Sequence, residues 1–162
     1  MYITKEKYNE LYDAIDEKLF DRLSFDACRC IDGLTTGADG VKKLKVAFPS
    51  DADSATAVRR CAAQIVHFLY QIHEAERSAS MGRGLEQTEG GLRGRVITSV
   101  SSGSESVSYS ASQHAQTAAD LAAMDAAQKE RTIREIVKEY LSGVADGNGV
   151  NLLYMGFYPV RR

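Results

Sequence analysis

Five groups of residues in this 162-residue chain are of types that could do chemistry, and each lacks something the chemistry requires. Gly82–Gly94 is glycine-rich in the manner of a phosphate cradle. It has no Gly-Lys-Ser/Thr ending, and the residues after it alternate like a strand instead of opening a helix, so a phosphate loop is not expected. Asp146-Gly147-Asn148-Gly149 opens like a calcium loop, but a later ligand position falls on Val150 and the closing acidic position on Phe157. His67 and His73 are six residues apart on a predicted helix, hence on different faces, and His114 sits in a polar connector. The serines around Gly103 lack the Gly-x-Ser-x-Gly frame of a nucleophile elbow. Acid pairs such as Asp13/Asp16/Glu17 and Glu135/Glu139 fall on solvent-facing positions. No catalytic set, metal ligand set or cofactor site is expected.

Composition narrows the classes further. A hydrophobic fraction of 44% with 26% charged residues is ordinary for a globular chain, and the length points to a single domain over 1–162. A formal charge of −2 argues against a general nucleic-acid binder. Cys28, Cys30 and Cys61 are odd in number and complete no zinc set, so they read as reduced, mostly buried thiols suited to a reducing cytosol. The N-terminus has no signal-peptide core, and no apolar run approaches membrane-spanning length; a soluble protein with no membrane partner is expected.

Helices dominate the predicted elements. Thr4 caps a short helix through Tyr8 and Tyr12, with Glu6 in its first turn. Asp16 caps a second, where Leu19, Leu23, Ala27, Ile31 and Leu34 recur at helical spacing before Thr35-Thr36-Gly37 ends it. Val41–Phe48 could be helical or extended. The Asp51/Asp53/Ser54 cluster then opens the longest helix, from about Ser54 to about Ala79, with Val58, Ala62, Ile65, Leu69 and Ile72 as its buried stripe. That length is roughly 35–40 Å. A last helical region carries Ile133, Ile136, Val137 and Leu141, with a break near Asp125, and Gly143 stops it.

Two features depart from this helical pattern. The stretch at about 80–95 reads as a glycine-rich loop, followed by a β-hairpin at about 95–111. A lone hairpin is marginal in water, so its Val96, Ile97, Val107 and Tyr109 are candidate contacts with a neighbouring subunit or with the chain's own helices. The tail Val150–Pro159 is apolar and looks extended; Leu152, Leu153, Tyr154 and Phe157 either pack back on the chain's own helices or dock on another chain. The fold expected is mainly α: a small helical bundle with one protruding β-hairpin and an extended C-terminal segment.

Read in order, these elements resemble the head–tail connector (adaptor) proteins of long-tailed bacteriophages. The resemblance rests on Tyr8, Phe20 and Ile31-Asp32-Gly33-Leu34-Thr35 near the start, the long central helix VRRCAAQIVHFLYQIHEAE, the Ser101–Ser110 run, and IVKEYLSG followed by NLLYMGFY. It spans nearly the whole chain, more loosely over Met81–Gly94 and Gln113–Ala127, and is carried by the order of elements instead of by one specific motif. The resemblance implies a non-enzymatic structural subunit of the virion neck, assembled in the host cytoplasm as a ring of about twelve copies. It implies as partners the portal protein and a tail-side connector or tail-completion protein, with DNA passing through the ring without specific binding.

The rival reading is a small DNA-binding or packaging accessory protein, in which Lys42, Lys43, Lys45, Arg59 and Arg60 form a basic patch. A solvated charged face is the simpler account of those side chains.

Overall fold

The computed structural model describes residues 1–81, 84–88, 91–95, 99–102, 105–108 and 120–159, with side chains over 1–79 and 120–159. The chain is mainly helical. It divides into two compact units, Met1–Leu69 with Ala126–Arg162, and Tyr70–Asp125.

The first unit begins with α1 (Lys5–Asn9), whose Thr4 cap accepts from the Lys7 amide at 3.5 Å. Tyr8 is fully buried, its ring 5.2 Å from that of Tyr12 and 5.7 Å from that of Phe20. Helix α2 (Glu17–Thr35) starts where expected because the Asp16 carboxylate accepts from the Leu19 amide at 3.1 Å, satisfying one of the first-turn donors a helix leaves open. Its buried face is centred on Phe20, Leu23, Ala27 and Ile31. Leu19 and Leu34, expected in the stripe, are half-buried at its rim. Val41–Phe48 contains a single helical turn, α3 (Lys43–Val46). Both α3 and the last helix, α5 (Ala126–Leu141), pack on α2.

Helix α4 (Ala52–Met81) is a little longer than its apolar stripe predicts, and within the expected cluster Asp51 supplies the cap, accepting from the Ser54 amide at 2.7 Å. Val58, Cys61, Ala62, Ile65 and Val66 are fully buried, with Val58, Ile65 and Val66 each contributing about 1.5–3 kcal/mol relative to exposure. Helix α5 (Ala126–Leu141) begins just after Asp125, at the break the sequence predicts, and buries Ile133, Val137 and Leu141. All three cysteines are free: Cys61 is buried, its thiol pushed up to about 12 by burial alone, and Cys28 and Cys30 are half-buried.

Just past α1, Tyr12 donates to the Gln64 side-chain oxygen on α4 at 2.5 Å and stacks on His67 with ring centroids 4.1 Å apart. Burial holds the His67 imidazole below its ordinary value of 6.5, against the opposing pull of Asp13. A base with a lower pKa folded than unfolded stabilises the fold only while neutral. That contribution is complete above about pH 6.5 and is lost as pH falls towards the folded value. Thermal melts should therefore be level between about pH 7 and 8 and fall below about pH 6.5, and His67→Phe should remove that fall. A melting temperature unchanged down to about pH 5 contradicts this assignment.

In the second unit, Gly84–Thr88 pairs antiparallel with Gly91–Arg95, in the stretch the sequence predicts as a loop. Glycine permits many conformations without enforcing looseness, and its backbone keeps the donor and acceptor that strand pairing needs. Ser99–Ser102 and Glu105–Ser108 also pair antiparallel. Of the residues on which the hairpin at about 95–111 was read, Val96, Ile97 and Tyr109 lie outside the described residues, as does the side chain of Val107.

Candidate functional site

The chemistry-bearing residues of the first unit converge on its C-terminal segment, which is folded onto the body through turns, where an extended tail was expected. Two tight loops organise it. One follows α2 and is closed by a Thr36–Lys42 backbone bridge around Asp39-Gly40; the other follows α5 and is closed by an Ala145–Asn151 bridge around Gly147-Asn148-Gly149. Gly40 and Gly149 sit at φ values of 75° and 79°, which side chains other than glycine rarely adopt, so these Asp-Gly and Asn-Gly pairs are turns. Asn151 adds a further turn, its side-chain oxygen accepting from the Leu153 amide at 2.8 Å.

Each loop contains an aspartate that grips the end of the chain. Asp146 accepts the Asn148 and Val150 amides on one oxygen, at 2.9 and 2.8 Å, and the Tyr158 hydroxyl on the other, at 2.5 Å. Asn148 donates its side-chain amide to the same hydroxyl at 2.8 Å. Asp39 accepts the Val41 amide at 3.1 Å and the Tyr158 amide at 2.7 Å. Tyr158 is thus held at both ends, by its backbone and by its ring. Burial, helped by the hydrogen bond to Asp146, raises its pKa, while the Tyr158 amide is the largest cause holding Asp39 below the usual carboxylate value.

Lys43 completes the anchor. It is fully buried, and its ammonium donates to the backbone carbonyls of Asn151 (3.3 Å), Leu152 (2.9 Å) and Tyr154. The Tyr154 ring centroid lies 5.8 Å from the same nitrogen, in cation–π range. Burial lowers the Lys43 pKa, against the opposing attraction of Asp146 and Asp39. Two glycines allow the close approach. A Cβ on Gly37 would come 2.7 Å from the Gly156 carbonyl, and one on Gly147 would come 2.7 Å from the Phe48 carbonyl. Gly156 gives its space to the Tyr154 ring, which accounts for the Tyr-x-Gly spacing of the tail.

The segment so held presents an apolar face. Leu152 is fully buried and belongs to the unit's own core, so its side chain is not a docking contact, and Leu153 is half-buried. Tyr154, Met155 and Phe157 are 52%, 61% and 75% exposed. Of the expected interface residues, only Tyr154 and Phe157 are therefore placed on an open surface among the described residues.

The basic patch of the rival reading is broken up. Lys43 is internal, and Lys45 pairs at 3.4 Å with Asp32, a buried carboxylate that also accepts the Tyr2 hydroxyl. Arg59 lies over the Phe48 ring at 5.8 Å. Sequence reasoning counted Lys43 among solvated lysines; its one cue is its place between Val41 and Leu44, ahead of Pro49.

Among the described residues no three metal-ligating side chains cluster, and no helix is long and apolar enough to cross a membrane. No protein-family model, curated protein or solved structure matches the chain.

Proposed function

We propose that this chain is a structural subunit of a phage head–tail connector, a ring beneath the portal that extends the DNA exit channel and receives the tail-side proteins. The observation that carries the reading is the anchored C-terminal segment. Lys43, Asp146 and Asp39 fix its backbone while Tyr154, Met155 and Phe157 stay open to solvent. Exposed aromatic side chains on a backbone already held in place lose little entropy on association, which favours their use as docking contacts. The order of elements resembling the connector family supports the same reading. In it, the 95–111 region protrudes as a hairpin that packs on an adjacent subunit.

Removing the whole tail is a poor probe of this role. A chain ending before Leu152 would lose a fully buried leucine and carbonyl partners of Lys43, leaving a buried ammonium short of acceptors. Misfolding would then imitate lost docking.

A direct test is electron microscopy of purified portal rings, from the genome encoding this chain, mixed with the chain itself. A ring of added density on the tail-facing side of the portal is expected. A salt-sensitive complex with duplex DNA and no added density would favour the DNA-binding accessory role instead.

A further inference from the structure

A second surface, separate from the C-terminal segment, lies between α1 and the first half of α4. It is a cavity of about 280 Å³ with Ile3 and Leu11 on one wall and Thr56, Arg59 and Arg60 on the other. Lys7 and Glu10 also line it, but they form an ion pair with each other at 3.0 Å. Arg59 and Arg60 have no carboxylate partner among the described residues. Arg59 is oriented by the Phe48 ring, and the face of a ring leaves the guanidinium edge N–H groups available. Beyond Arg60 the surface continues into a second hollow bordered by Asp53, Ala57 and Tyr140, so the positive character is concentrated at the Arg59 end.

We propose that this groove binds an acidic peptide segment of a partner protein, with a carboxylate on Arg59 or Arg60 and a neighbouring aliphatic or aromatic side chain on the exposed Leu11, beneath which Ile3 is buried. The choice of occupant follows from charge complementarity in a concave, partly apolar site. Guanidiniums lining one groove match carboxylates through paired hydrogen bonds, and the apolar wall offers a nucleic-acid backbone nothing.

The test is fluorescence anisotropy of the full chain with a labelled Leu-Glu-Glu-Leu-Phe peptide, its Leu-Gln-Gln-Leu-Phe counterpart, and a labelled DNA duplex. The acidic peptide should bind saturably and tighter than the other two. Arg59→Glu with Arg60→Glu should weaken it by at least about tenfold, and Leu11→Asp, which keeps both arginines, should weaken it as well. Lys138→Glu, an exposed change on α5, should leave it unchanged, and circular dichroism should show the same helix content in every variant. No saturable binding up to about 1 mM, equal binding of the glutamine peptide, or preferential binding of DNA would each overturn the proposal.

Discussion

Replacing Lys43 with Met is expected to destabilise the first unit by about 2–3 kcal/mol and to release the C-terminal segment, with little change in helix content. Methionine has nearly the length of lysine, so the cavity left is small and the loss is chiefly polar. Three backbone carbonyls lose the donor they share, and an unsatisfied buried acceptor costs about 1–3 kcal/mol. An opposing effect exists, since burial lowers the Lys43 pKa and removing a desolvated charge relieves that cost. The carbonyls decide the sign. They belong to the backbone and cannot be replaced by apolar groups, whereas a buried ion pair can be exchanged for apolar groups on both sides. Urea denaturation gives the stability change, and hydrogen exchange should show faster exchange at Leu152–Tyr158 than along α2. Unchanged exchange there would mean that the segment is held by its apolar contacts alone.

Asp146→Ala is expected to cost about 2–4 kcal/mol, comparable to the lysine substitution. The carboxylate is buried and accepts three hydrogen bonds, two from backbone amides of its own loop and one from Tyr158. Alanine leaves both amides without a partner and removes the hold on the ring. Asp146→Asn should cost less, because its remaining oxygen can still accept the two amides. A double-mutant cycle with Tyr158→Phe should give a coupling of about 1–2 kcal/mol, since one hydrogen bond joins the pair. Additive losses would place the stabilising role of Asp146 in the loop alone.

The helices were legible because their signals are local. Thr4, Asp16 and Asp51 cap as their positions predict, and the Phe20-to-Ile31 and Val58-to-Ile65 stripes reflect a period that burial on one face imposes. The Asp39-Gly40 and Gly147–Gly149 turns were legible for the same reason. What was not legible is long-range. Lys43 meets carbonyls more than a hundred residues away, and acceptors on the backbone leave no mark in the sequence. Asp39 has the same difficulty, holding the Tyr158 amide across 119 positions. The apolar tail looked uniform, yet the anchor divides it into Leu152 inside and Tyr154, Met155 and Phe157 outside. Hydropathy alone cannot make that division, because it depends on where the backbone is pinned.

The central claim is that the exposed part of this segment docks on the portal, and co-sedimentation with purified portal rings tests it most directly. Met155→Asp with Phe157→Asp alters side chains that are 61% and 75% exposed and take no part in the Lys43 anchor, so the fold and its melting temperature should survive. The account predicts that the wild-type chain sediments with the portal and that this double variant, folded by circular dichroism, stays in the supernatant. Sedimentation of the variant to the wild-type extent would contradict it.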